Sequence, residues 1–253
     1  MKFTYDAYLH LLSLLRSHGY ECATYHDWKS HSRCVILRHD IDDDISRAVT
    51  FAELEADAHW GGTYFVLLRS DAYNAFSAKN AELLKHIKSC GHEIGLHFDE
   101  MSYSEDIGDA DKIRQRILGE AAVLEKIVGT PIKCVSMHRP STAILDADLQ
   151  IPGIVNSYGQ TFFRDFKYLS DSHRHWREPV EEIIASEVHE RLHILTHAFW
   201  YNEQERDLKA SLFDFVNRAN YERYLMLKDN FTALEEVLGV QDIAGLQGGA
   251  GSL

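Results

Sequence analysis

The sequence predicts an α/β fold, a (β/α) barrel of six to seven parallel strands. Three observations predict it. Short apolar runs alternate with longer segments of helical pattern, the alternation recurs six or seven times, and polar residues capable of chemistry follow the apolar runs. Strand, helix, strand in this rhythm fits parallel strands joined by right-handed crossovers. So many units favour a barrel over an open sheet, and α/β barrels of 253 residues are built on one core.

The first element is an amphipathic helix in "MKFTYDAYLHLLSLLRSHGY", ending near Gly19. "CVILR" then reads as a buried strand followed by the helix "DDISRAVTFAELEADA", "GTYFVLL" as a strand followed by "AYNAFSAKNAELLKHIKS", and "HEIGLH" as a strand followed by "DADKIRQRILGEAAVLEKIVG". After these come the strand "IKCVSMH", a loop-rich stretch, "FKYLSDS", "EPVEEIIASE", "LHILTHAFW" and a long helix near 204 to 238. No Pro- or Ser-rich linker and no internal repeat divides the chain, so one domain is expected over 1–239. Residues 240–253, Gly-rich and without periodicity, read as a flexible tail.

Composition narrows the function classes. Net charge is −13, from 26 basic and 39 acidic residues, which repels phosphate backbones and anionic membranes, so nucleic acid is excluded as a partner. The hydrophobic fraction of 45% argues against global disorder. Cys22, Cys34, Cys90 and Cys134 contain no C-x-x-C spacing, and read as buried thiols in a reducing compartment. Asp6, His10 and Arg16 interrupt the N-terminal apolar stretch, and no run approaches the roughly 18 apolar residues a spanning helix needs. No integral membrane segment and a cytoplasmic location are expected. Nothing in the sequence fixes the oligomeric state.

Chemistry gathers at the strand ends. "VILRHDIDDD" runs three aliphatic residues into Arg38, His39, Asp40 and three further aspartates. Like charges so placed repel one another and lose solvation, so a cation is expected among them. Asp40 and Asp42, His97, His138 with Arg139, Asp171 and His197 each follow a separate apolar run. At the carboxyl ends of parallel barrel strands the loops converge on one mouth, where active sites form. Each residue also has a plainer reading. Asp42, Asp43 and Asp44 could cap the following helix, the better account of Asp43 and Asp44. His97 could be structural, Arg139 a turn residue, and Trp176 and Trp200 core aromatics. His92 and Glu93 could be polar groups at a strand edge, and His173, His175 and His193 have only proximity in their favour.

Together "VILRHDIDDD", "GHEIGLH", "HRPS", "YLSDS" followed by Trp176, and "LHILTHAFW" resemble, in order, the motifs of the polysaccharide deacetylases, the NodB-homology group of carbohydrate esterases. The resemblance spans roughly residues 33 to 200, with "GHEIGLH" its most specific piece. It implies a distorted, single-domain (β/α) barrel and metal-dependent hydrolysis of an N-acetyl group on a sugar. Asp40 then matches the catalytic base and His197 the general acid. Arg139 would orient Asp40, and Asp171 would hold Arg139. Trp176 resembles the aromatic that walls the sugar pocket, and Trp200 is taken with it as a substrate contact.

The metal motif departs from the pattern. Where the family commonly has adjacent aspartates, Ile41 separates Asp40 from Asp42, and strand alternation makes Asp42 the ligand. His97 matches the first metal histidine, but the second falls on Met101. Catalytic zinc sites usually supply three protein ligands, so His138 is taken as the third, narrowly ahead of Asp99 and Glu93. One divalent ion, Zn2+ by preference, is expected on Asp42, His97 and His138. The expected substrate is an N-acetylated sugar or glycan precursor of a surface polysaccharide such as O-antigen or capsule. The rival readings are a deformylase or other amidohydrolase on a lipid-linked sugar, and a non-catalytic carbohydrate-binding descendant.

Overall fold

The computed structural model describes residues 1–243. The chain divides into two compact units, Met1–Glu203 and the residues from Gln204 onward.

The first unit opens on α1 (Tyr5–Ser17), capped by the Thr4 hydroxyl accepting from the Ala7 amide at 3.2 Å. Gly19, at φ +74°, then turns the chain in the left-handed region that favours glycine. β1 (Glu21–Ala23) follows, and β2 (Cys34–Ile41) leads through Asp42–Asp44 into α2 (Ile45–Asp57). Strands and helices then alternate: β3 (Thr63–Leu67), α3 (Ala78–Ser89), β4 (Glu93–Phe98), α4 (Ala110–Val128) and β5 (Cys134–Met137). The remainder is shorter: α5 (Thr142–Asp146), β6 (Val155–Asn156), α6 (Gln160–Arg164), β7 (Lys167–Ser170), α7 (Val180–Ser186) and β8 (Arg191–Thr196).

The strands are parallel and hydrogen-bonded in the order β6-β5-β4-β3-β2-β8-β7, with β1 beside the first half of β2. The order follows the chain around a circle. β6 and β7, neighbours in sequence, stand at the two free edges, so the barrel is open between them. This is the distorted α/β barrel expected of the sequence.

Alternation along β2 sorts its side chains between two cores. Val35 and Leu37 join Leu11, Leu12 and Leu15 of α1 and Phe51 of α2 in the core between strands and helices. Cys34 and Ile36 join Phe65, Cys134, Tyr25, Trp28 and Phe162 in a second core. Each fully buried Leu or Phe contributes about 1.5–3 kcal/mol. The face that carries Cys34 and Ile36 continues at period 2 through Arg38 and Asp40, where apolar packing gives way to buried charge.

The second unit holds α8 (Leu208–Asn230), capped by Asp207 accepting from the Ala210 amide at 2.7 Å. Of the tail expected at 240–253, Val240–Asp242 forms a short 3-10 turn, and residues 244–253 lie outside the described residues.

Candidate metal centre

Asp42 follows β2, His97 is the fifth residue of β4, and His138 follows β5. Their donor atoms form a nearly equilateral triangle: Asp42 Oδ1 to His97 Nε2 is 3.2 Å, Asp42 Oδ1 to His138 Nδ1 is 3.3 Å, and His97 Nε2 to His138 Nδ1 is 3.2 Å. Tetrahedral bonds of 2.0–2.1 Å, typical of zinc with nitrogen or oxygen, set donor atoms about 3.3–3.4 Å apart. Asp42 Oδ1 is buried with no hydrogen-bond partner, which a cation at the triangle's centre would remedy. The donor set of one carboxylate and two imidazoles fits a divalent metal.

The surrounding bonds favour the same use. His97 Nδ1 lies 2.8 Å from Ser136 Oγ, which also accepts from Arg38 Nη2 at 2.6 Å and lies 3.4 Å from Asp40 Oδ1. If His97 donates from Nδ1 to Ser136, the hydroxyl proton turns to Asp40 and the Nε2 lone pair faces the triangle. His138 is arranged differently, because Arg139 Nε donates to its Nε2 at 2.8 Å. For Nδ1 to serve as a ligand, the His138 proton must sit on Nε2 and the exposed Arg139 must turn away.

Asp40 is buried and gripped by Arg38, with Nε to Oδ1 at 2.9 Å and Nη2 to Oδ2 at 2.7 Å. Burial works to raise its carboxyl, but Arg38 and then His97 outweigh that and hold it below the usual range. Arg38 is itself fully buried, its guanidinium 4.7 Å from the Tyr158 ring centroid. On the other side, His197 Nδ1 lies 2.7 Å from Asp171 Oδ1, and its Nε2 lies 3.8 Å from Asp42 Oδ2. Burial opposes the imidazolium, yet Asp171, with Asp40 and Asp42 behind it, pushes His197 up to about 9. Asp42 is held well below the carboxylate range, against the effect of burial, by the His138 and His97 imidazoles beside it.

These contacts correct several expectations. Arg38, not Arg139, grips Asp40, because period 2 puts Arg38 and Asp40 on one face of β2. Arg139, at φ +47° just past β5, points instead to solvent and His138. Asp171 holds His197 in place of Arg139. Asp44 caps α2, accepting from the Ser46 amide at 2.9 Å, whereas Asp43 lines the mouth, its carboxyl raised by burial and then by Asp42. Both Trp176 and Trp200 pack against the main core, and of the two Trp200 lines the mouth.

Met101 is 56% exposed and does not line the triangle's cavity. Asp99 lines that cavity and caps the following 3-10 turn by accepting from the Met101 amide at 3.1 Å. Glu93 begins β4, at the opposite end of the barrel. Arg38, Ser136 and Tyr158 were missed in the sequence. The first two were within reach of it, since each stands two residues before a site residue on the same strand face. The cavity over the site measures about 560 Å³, and His173 and Arg177 lie on its wall.

No protein-family model matches the chain, and no curated protein matches it. Among solved structures it is similar to a mutant of BA3943, a CE4 family pseudoenzyme with restored enzymatic activity, at 14% identity and a TM-score of 0.44 over 76% of this chain and 64% of that one. It is also similar to a family 4 acetyl xylan esterase from Clostridium thermocellum in complex with a cobalt ion, at 18% identity and a TM-score of 0.38 over 65% and 73%. A third is the catalytic domain of a peptidoglycan N-acetylglucosamine deacetylase from Eubacterium rectale, at 11% identity and a TM-score of 0.43 over 74% and 84%. The chain spans less than two thirds of the length of the first.

Proposed function

We propose that this protein is a metal-dependent carbohydrate N-deacetylase that removes an N-acetyl group from an amino sugar of a surface-polysaccharide precursor. The observation that carries the reading is the triangle of Asp42, His97 and His138, flanked by a carboxylate kept ionised and an imidazole kept protonated. Two groups whose surroundings drive them to opposite protonation states, on either side of a metal position, are what amide hydrolysis requires.

A divalent ion on Asp42, His97 and His138 would supply Lewis acidity, polarising the amide carbonyl and acidifying a water. Asp40 Oδ2, 3.6 Å from His97 Nε2, stands beside that position and takes the water's proton as general base. Arg38 aims the carboxylate through two hydrogen bonds and keeps it ionised. His197, its proton secured by Asp171, protonates the departing amine, which is too basic to leave as an anion. Trp200 supplies a flat apolar wall for a sugar ring. Zn2+ is the metal proposed, on the strength of the nitrogen-rich donor set and the spacing. The precursor substrate, of O-antigen or capsule type and met in the cytoplasm, follows from the resemblance of "RHD" and "GHEIGLH" and from Met101 at the second-histidine position.

The test is to load the purified protein with Zn2+ and follow acetate and formate release from N-acyl amino sugars, nucleotide-linked and lipid-linked. Acetate release that is lost on chelation and in Asp40→Asn supports the reading. Formate in its place would make the protein a deformylase, and sugar binding with no release of either would make it a binding module.

A further inference from the structure

The floor of the barrel holds a second group of donors that the proposed chemistry leaves unused. Glu93 and Cys134 are the first residues of the adjacent strands β4 and β5, and His26 lies in the segment between β1 and β2. Their atoms converge: Cys134 Sγ is 3.4 Å from His26 Nε2 and 3.4 Å from Glu93 Oε2, and His26 Nε2 is 2.9 Å from Glu93 Oε1. We infer that Cys134, His26 and Glu93 form a second divalent-metal site, with zinc as its natural occupant.

Zinc bonded to sulfur at 2.3 Å and to nitrogen or oxygen at about 2.0–2.1 Å sets sulfur about 3.5 Å from its co-ligands. Both sulfur distances match that spacing; Cys134 faces Oε2 and His26 faces Oε1 of one carboxylate, so Glu93 has to turn to bring a single oxygen to the ion. The site is also built: Thr63 Oγ1 donates to Glu93 Oε2 at 3.2 Å, fixing the carboxylate. Cys134 is fully buried while the His26 side chain is 37% exposed, so an ion enters from the His26 side and finds the thiol beneath. Before it enters, burial and the charge of Glu93 hold Cys134 as a thiol. On binding, the thiol proton passes to solvent, His26 keeps its single proton on Nδ1, and water completes the tetrahedron. The ion would pin the loop carrying Tyr25 and His26 to the strands that bear His97 and His138 at their other ends.

Cobalt(II) separates this site from the one at the mouth, because Asp42, His97 and His138 include no sulfur. Titration of the full, reduced chain with Co2+ should develop a near-ultraviolet thiolate-to-cobalt charge-transfer band. His97→Ala should keep that band, and Cys134→Ser should lose it together with about one equivalent of bound cobalt. His26→Ala, at an exposed and well-tolerated position, should weaken the affinity read from the band by at least about tenfold, and keeps the test open should Cys134→Ser not fold. Absence of the band from the parent, or its survival at full strength in Cys134→Ser or His26→Ala, would overturn the second site, whatever the mouth binds.

Discussion

Asp40 is buried and His197 is half-buried, and their neighbours drive them in opposite directions. Asp40→Asn should leave Zn2+ affinity nearly unchanged and lower turnover by about 10²-fold or more, the usual scale for a general base. In the metal-free protein, His197 takes its pKa of about 9 chiefly from Asp171. Asp171→Asn should therefore move the His197 imidazole titration, followed by NMR, to lower pH. The sign is that of a raised histidine: its contribution to stability is complete below about 6.5 and is lost as pH rises through about 9. Unchanged titration in Asp171→Asn would remove Asp171 from the acid's support. His138 and Met101 decide the ligand set. His138→Ala should weaken Zn2+ binding, read by calorimetry, as severely as His97→Ala, while Met101→His should add little, since Met101 is exposed and does not line the cavity. Arg139→Gln should tighten binding, because it removes a cation bonded to one ligand's outer nitrogen.

At the scale of the element, β2 packs as an ordinary buried strand along its first half and carries an ion pair along its second. Arg38 and Asp40 are both nine-tenths or more buried, so removing one leaves the other's charge without a partner. Arg38→Met should destabilise the metal-free protein by about 3–5 kcal/mol at neutral pH, measured by urea unfolding. The double variant Arg38→Met with Asp40→Asn should recover much of that loss, because neither member of the pair then leaves the other's charge unpartnered. Additive losses would mean that Arg38 acts through packing against Tyr158 and Phe65 rather than through Asp40. The same strand marks how much could be read without a structure. Its apolar run, and the period of 2 joining Asp40 to Asp42, were legible because burial and pleat leave a direct imprint on the residues. Arg38 obeyed that period too, yet a lone arginine at a strand end looks like an exposed residue until its partners are known. β1 and β6, of three and two residues, are too short to show a period, and owe their pairing to neighbouring strands. Asp171 was legible as a strand-end carboxylate. Its partner was not, because the side on which the neighbouring His197 approaches depends on the register between β7 and β8.

Across the whole molecule, Asp40, Asp42, His97, His138, Asp171 and His197 come from β2, β4, β5, β7 and β8 or the turns just after them, while residues 69–72 after β3 and Tyr158 after β6 also line the mouth. These strands lie in the unbroken run β5-β4-β3-β2-β8-β7, and the open seam beside β6 supplies none of the triangle's ligands. Rigidity of the site therefore depends on ladders that are complete. The proposed ligands, base and acid and their supports fall between Arg38 and His197, all within the unit Met1–Glu203. That unit is tied off at its own end: the Tyr5 amide donates to the Asn202 carbonyl at 3.0 Å, and Arg47 Nη1 donates to the Tyr201 carbonyl at 2.9 Å and to Asn202 Oδ1 at 2.8 Å. These bonds fasten the last residues to α1 and α2. A chain ended after Glu203 should thus keep one cooperative thermal transition and bind Zn2+ as tightly as the full chain, with the transition rising on metal addition because the ion binds only the folded form. The residues from Gln204 onward carry several exposed apolar side chains, among them Phe213, Val216 and Phe231, so their removal should also reduce self-association in sedimentation. A shortened chain that unfolded on isolation, or bound metal markedly more weakly, would show that the second unit takes part in holding the barrel, and would shift the search for the site's support beyond the strands that carry it.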